Sequence, residues 1–303
     1  MKVHSYNEWD PLRSILVGSA TNANWPKNDS IFQNQFTTWK ESPIPSGPVP
    51  DWIIETANKE LDQLSQVLYN LGVEVWRPEP LDFVGRDGMY NYCPRDRLLV
   101  VGENVVDPAM LYPSREMEIE ELQFIVDAAK NSYRMPRDQG MVLDAANICR
   151  LGKTWLYLMS KSGNREALTW LKQTFPNQAI EVCDFYSGVH IDSTIVPLQE
   201  GLVLLNGSRV NESNLPQCLK SWDRIYINEV TEKDFYQYPY ASKWIAINLL
   251  VVQPGLVIVD ESQPLLCDIL QSKNIDVIAL PMTHARTLGG SFHCCTLDIC
   301  RES

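Results

Sequence analysis

The sequence predicts an α/β fold assembled from a recurring strand, helix, strand unit, and two observations carry the prediction. Short apolar runs recur along the whole chain, among them Ser14-Ile-Leu-Val17, Leu98-Leu-Val-Val101, Trp155-Leu-Tyr-Leu158, Leu202-Val-Leu-Leu205 and Leu256-Val-Ile-Val259. Runs this short read as buried strands, because a helix needs a longer pattern. Several are followed by a helical stretch and then a second strand: residues 164–175 then 180–183, and 263–272 then 276–280. Repetition of one such unit five times makes a repeat architecture.

The clearest helix covers residues 52–70, where Ile53, Ala57, Leu61, Leu64, Leu68 and Leu71 fall on one face at three- and four-residue steps. Gly72 stops it, and the strand Val73-Glu-Val-Trp76 that follows ends before Pro78, which cannot continue a ladder. Two segments break the pattern. Residues 22–50, rich in Asn, Ser and Pro, are expected as a long surface loop, and residues 107–139 as acidic helix and loop. Both are long enough to cover a site.

With 303 residues, 45% of them hydrophobic, the chain can form one large domain or two ordinary ones. Its formal charge of -12, from 26 basic against 38 acidic residues, argues against nucleic acid or an anionic membrane as partner. The same charge suits a cationic substrate, and equally an enzyme that is acidic for solubility alone. No run reaches the roughly 20 apolar residues of a membrane span, and Met1-Lys-Val-His-Ser-Tyr6 lacks the apolar stretch of a secretion signal. Cytoplasm is therefore the expected location, with the 8 cysteines reduced. No Cys-x-x-Cys pair occurs, so no metal site is expected, and no cofactor motif is present.

The chain has only 4 histidines, which narrows any imidazole chemistry. His190 and His293 are the stronger candidates. An extended segment through Val189-His-Ile-Asp192 would put His190 and Asp192 on one face and Ile191 on the other, either as a reactive pair or as a hydrogen-bonded strand feature. Cys294 follows Gly289-Gly290, whose backbone freedom allows close approach of a substrate. Locally Cys294 reads as well as a buried structural thiol, and Cys295 competes with it equally. Asp96 precedes an apolar strand and Asp144 follows one, positions that suit either a site carboxylate or a cap. A thiol, an imidazole and several carboxylates together fit attack on a planar cationic carbon, with the carboxylates gripping a guanidinium.

Six motifs in order give the chain a resemblance to the amidinotransferase family of the pentein superfamily: Ser5-Tyr-Asn-Glu-Trp-Asp-Pro11, Pro94-Arg-Asp96, Leu143-Asp-Ala-Ala146, His190-Ile-Asp192, Ser242-Lys-Trp244 and Leu288-Gly-Gly-Ser-Phe-His-Cys294. The resemblance spans nearly the whole chain and implies a single domain over residues 1–303, a five-bladed α/β propeller of ββαβ units around a central channel. It implies Cys294 as nucleophile, His190 as proton carrier and Asp144 as the acid that orients it. Asp96 and Asp192 would clamp the guanidinium, Arg209 would bind the donor's carboxylate, and Tyr90 and Ser242 would make further substrate contacts. The implied reaction moves the amidino group of L-arginine to an acceptor amine and releases L-ornithine. The cationic substrate would lower the pKa of Cys294, so that the thiolate forms when substrate is bound. A homodimer is compatible with the family.

Three departures bear on the substrate. Asn147 replaces a second acid common in the family, the stretch from Asp96 to Asp144 is short, and Tyr186-Ser-Gly-Val189 is not the Asn-Pro-Met run found beside a glycine acceptor. An acceptor other than glycine is expected, in natural-product synthesis. Two other readings stand beside this one: a hydrolase of the arginine deiminase or dihydrolase type, which uses the same residues and in which water resolves the intermediate, and a non-catalytic arginine sensor, which keeps the clamp but does not need the thiol.

Overall fold

The computed structural model describes residues 1–36, 44–188 and 190–302. Five three-stranded sheets share one topology: two strands form an antiparallel pair, and the second then pairs in parallel with a third across a crossover. The second blade runs Leu99–Val101, Asn104–Asp107, Asn131–Arg134; the third Ile148–Leu151, Thr154–Leu158, Ala179–Cys183. The fourth is Ile195–Gln199, Leu202–Asn206, Asp223–Ile227, and the fifth Leu250–Gln253, Leu256–Asp260, Asp276–Leu280. The first blade takes its middle and third strands, Leu12–Val17 and Glu74–Trp76, from the start of the chain and its first strand, Thr296–Arg301, from the end. This pairing of Leu12–Val17 with Thr296–Arg301 closes the ring. The chain is a five-bladed α/β propeller, as the recurring unit and the resemblance predict.

The crossover helix of the first blade, Asp51–Asn70, matches the periodicity that predicts it, with Ile53, Ala57, Leu61, Leu64 and Leu68 all buried. Each of these Ile and Leu side chains contributes about 1.5–3 kcal/mol relative to exposure. Gly72 ends the helix with φ +81, a conformation that costs a side chain strain. Arg165–Thr174, capped by Asn164, and Pro264–Gln271 form the crossovers of the third and fifth blades. The fourth blade has only the 3-10 turn Gln217–Leu219.

Two segments depart from expectation. Residues 107–139 contain a 3-10 helix, Pro113–Leu122, a short α-helix, Gln123–Ala128, and the strand Asn131–Arg134. That strand is an edge strand with mostly exposed polar side chains, so it carries no apolar signal. Part of the expected surface loop, residues 37–43, lies outside the described residues; the rest is partly core. Asn24–Trp25 pairs with Gly47–Pro48, and Trp25, Phe32 and Phe36 are buried against Tyr240.

Buried charge fills the propeller axis, where residues of several blades converge. Arg150 donates to Glu8 at 2.7 and 2.9 Å, to Asp298 at 2.8 Å and to the Val100 carbonyl at 2.8 Å. Arg301 donates to Asp298 at 2.8 Å and to the Val251 carbonyl at 2.9 Å, and Arg95 pairs with Asp298 as well. Burial pushes the Glu8 and Asp298 carboxyls up, but the arginines outweigh it and hold both well below the usual range. Removing one partner of a buried ion network strands its counter-charges. Arg150→Met is therefore expected to lower unfolding free energy by about 3–5 kcal/mol in a urea titration; a change under about 1 kcal/mol would show that Arg95 and Arg301 suffice.

Candidate active site

Cys294 is placed by a sharp turn. The short helix Ala285–Leu288 ends at Gly289, which has φ +85, and the chain then turns into the strand Thr296–Arg301. Gly290 has no room for a side chain: a Cβ there would run into Cys93 Sγ and come within 2.9 Å of Cys294 Cβ. Asn248, itself buried, fixes the turn. Its Oδ1 accepts from the Cys294 amide at 3.0 Å, its carbonyl from the His293 amide at 3.3 Å, and its Nδ2 donates to the Asp192 carbonyl at 3.3 Å. Cys294 Sγ then donates to Asp192 Oδ2 at 3.2 Å. The neighbouring Cys295 turns its thiol to Cys93 and Tyr92 in the core.

A cavity of about 220 Å³ opens on this thiol, and His190, Asp192, Arg209 and Ser242 share its wall with Cys294. His190 and Asp192 do not lie on an extended strand. Residues 191–194 form a turn, closed by bonds from the Thr194 and Ile195 amides to the Ile191 carbonyl at 2.8 and 3.1 Å. The turn gives the arrangement expected of a strand: Ile191 is fully buried while its two neighbours face the cavity.

Behind His190 stand two carboxylates. Its Nε2 meets Asp144 Oδ2 at 3.0 Å, and its Nδ1 lies 3.4 Å from Asp96 Oδ1. Burial lowers the His190 pKa, but Asp96 and Asp144 outweigh it and raise the group to about 9. Asp144 leaves no strand; Leu143 makes one isolated bridge to Gly163, and Asp144 begins the 3-10 turn Ala145–Asn147. Its carboxylate caps nothing there and instead accepts from the Leu111 amide at 2.9 Å. Asp96, in the short helix Pro94–Arg97, accepts from Arg115 Nη1 at 2.8 Å. Its pKa is raised, burial outweighing the pull of His190 and Arg115. Asp192 is different: burial would raise it, yet the hydrogen bond from His293 holds it down at about 2.

Arg209 sits at the far side. Its guanidinium lies 4.3 Å from the Tyr186 ring centroid and donates to Thr194 Oγ1 at 2.8 Å and Ser242 Oγ at 3.2 Å. Tyr90 is not on the cavity wall. It lies behind Gly289, donating to the Leu288 carbonyl at 2.9 Å, with Arg115 5.2 Å from its ring. Asn147 does not take up the role of a second acid: it is fully buried, donating to the Leu158 carbonyl and Ser160 Oγ, each at 2.8 Å, and accepting from Ser162.

Three residues around the site were not singled out by the sequence, Asn248, Arg115 and Glu118, while a fourth, His293, was a candidate imidazole left without a role. His293 donates to Asp192 at 2.9 Å, and Glu118 grips Arg115 through two bonds of 2.9 Å. His293 was visible as an adjacent imidazole. Arg115 and Glu118 lie in an acidic stretch whose charges look solvated, and nothing local marks them as buried.

Other solved structures fix the fold first. DDAH from Pseudomonas aeruginosa superposes with a TM-score of 0.68 at 14% identity, over 95% of this chain and 99% of that one, so the two share a fold. Nearer relatives narrow it. Inosamine-phosphate amidinotransferase 1 of Streptomyces glaucescens is 38% identical over 99% of this chain and 97% of its own length. The L-arginine:L-lysine amidinotransferase of Pseudomonas savastanoi pv. phaseolicola is 28% identical over 99% and 94%. The inosamine-phosphate amidinotransferase of Streptomyces griseus, as a solved structure, superposes with a TM-score of 0.93 at 38% identity over 99% of this chain and 97% of that one. No family model matches the chain. The chain belongs to the amidinotransferase family, and it is an enzyme of amidino-group transfer.

Proposed function

We propose that the enzyme takes the amidino group of L-arginine onto Cys294, releases L-ornithine and passes the group to an amine other than glycine. The observation that carries this is the shared wall: a thiol, an imidazole, a carboxylate and an arginine face one cavity of about 220 Å³. Arg209, with Ser242 beside it, would take the substrate carboxylate, and Asp192 on the cavity wall, with Asp96 behind His190, would hold the guanidinium. The docked guanidinium lowers the Cys294 pKa, the thiol releases its proton to solvent, and the thiolate attacks the guanidinium carbon. The bond from that carbon to the ornithine nitrogen breaks as His190 gives that nitrogen its proton.

Having lost the proton, His190 is then the base for the second half. It takes a proton from the incoming amine, which attacks the amidino carbon; the carbon–sulfur bond breaks and the thiolate returns. Asp144 orients the imidazole throughout. Residues 1–303 act in this reading as one domain, since the first and last strands pair, and the reaction belongs in the cytoplasm.

Arginine labelled at the guanidino carbon, incubated with the protein and a panel of amines, tests the proposal by mass spectrometry. The expected products are ornithine and a labelled guanidino compound. Labelled citrulline instead would mean that ammonia leaves in place of ornithine and that water resolves the resulting intermediate, labelled urea would mean that water takes the amidino group, and labelled guanidinoacetate with glycine as the preferred acceptor would overturn the acceptor assignment.

A further inference from the structure

His293 adjoins Cys294 in sequence yet has no part in the chemistry proposed above. Its environment is unusual for a histidine. Nδ1 lies 2.9 Å from Asp192 Oδ2 and Nε2 lies 3.3 Å from Glu8 Oε2, so both ring nitrogens face carboxylates. A neutral imidazole donates from one nitrogen only and would set the other's lone pair against a carboxylate; only the imidazolium donates from both. The ring is mostly buried, with 13% of its side chain exposed, and its backbone is held by Asn248.

We propose that His293, as an imidazolium, is a positioning residue that fixes Asp192 Oδ2 against Cys294 Sγ and fastens that pair to the axial charge network through Glu8. The inference rests on Cys294 as the nucleophile. Asp192 Oδ2 receives two bonds, from His293 at 2.9 Å and from Cys294 at 3.2 Å, so the imidazolium and the thiol compete for one oxygen and their relative geometry is set by it. Glu8 in turn is gripped by Arg150. The thiol is thereby tied through Asp192, His293, Glu8 and Arg150 to the centre of the propeller, where residues of several blades meet. This link holds the acid that would face the substrate guanidinium without asking the substrate to order it.

Charged neighbours act on this pair from every side. Arg95 opposes the charge on His293, while Asp192 and Glu8 favour it; Asp192 faces His190 as well as His293 and Cys294. With His293 removed, Asp192 loses the donor that does most to keep it ionised and is free to rotate away from the thiol.

His293→Gln is expected to lower kcat/KM for arginine roughly 100-fold, the loss that follows when a reacting group is misplaced by about an ångström. It is also expected to move the acidic limb of the kcat/KM profile to higher pH. A uniform loss with the acidic limb unmoved would make His293 merely structural and overturn the proposal. If that variant does not fold, imidazole nitrogen NMR of the His190→Asn protein at pH 8 decides: a doubly protonated ring for His293 sustains the proposal, a ring with one N–H overturns it. Cys294→Ala assayed alongside separates the two levels. Transfer that survives it removes the nucleophile assignment, whereas an inactive Cys294→Ala with an unmoved limb in His293→Gln removes only the positioning role.

Discussion

Cys294→Ala is expected to lower the rate of ornithine release by at least about 10³-fold while leaving arginine bound, because the nucleophile acts only in the chemical step. Cys295→Ala is expected to cost less than about tenfold, since that thiol faces Cys93 and Tyr92 in the core and not the cavity. The free enzyme gives a second readout. A hydrogen bond with Cys93, then burial, then the Asp192 charge push the Cys294 pKa well above its ordinary value, so the thiol is neutral at physiological pH. A guanidinium docked beside it reverses that balance. Alkylation of Cys294 should therefore be slow without ligand and should show a lower apparent pKa with a slowly turned-over arginine analogue bound. Ornithine release by Cys294→Ala within tenfold of the parent would refute the assignment, and calorimetry showing arginine still bound would confirm that the loss is chemical.

The same site shows why some of this could be read from sequence and some could not. Buried strands such as Leu202–Asn206 and Leu256–Asp260 announce themselves as apolar runs, and the one-sided stripe of Asp51–Asn70 fixes that helix to within a residue. Asn131–Arg134 does not, because an edge strand exposed on both faces carries no apolar pattern. At the site, spacing put His190 and Asp192 on one wall by way of a strand; a turn does it instead, and the two geometries give the same alternation over three residues. Ordered motifs separated Cys294 from Cys295, which no local feature could. What stayed hidden are long-range partners: Asn248, 46 residues from Cys294, and Arg115, 19 from Asp96, act through folded contacts that leave no mark on either segment. Tyr90 is the converse case, matched by motif yet set behind Gly289, where it shapes the wall from outside.

Asp144→Asn should move the alkaline limb of the ornithine-releasing half-reaction to lower pH. In the proposed reaction His190 must carry a proton to give to the leaving nitrogen, and with its pKa raised to about 9 it would do so across the neutral range, losing the proton as pH rises through that value. Replacing the Asp144 carboxylate by an amide removes both a charge and the acceptor of the 3.0 Å bond, leaving Asp96 as the main counterweight to burial. Each unit of downward movement costs about tenfold in protonated His190 above the new limb. The loss at pH 8 should thus exceed the loss at pH 6, and single-turnover release of labelled ornithine at both values measures it. Stability must follow the same sign. A histidine raised from 6.5 in the unfolded chain to about 9 in the fold contributes stability fully present below pH 6.5 and lost as pH rises through about 9. The gap in unfolding free energy between parent and Asp144→Asn should accordingly be widest near pH 6 and narrow by pH 9.5. A gap independent of pH, or an alkaline limb that stays where it is, would mean that Asp144 holds the Leu111 amide and the local turn but does not govern the proton on His190.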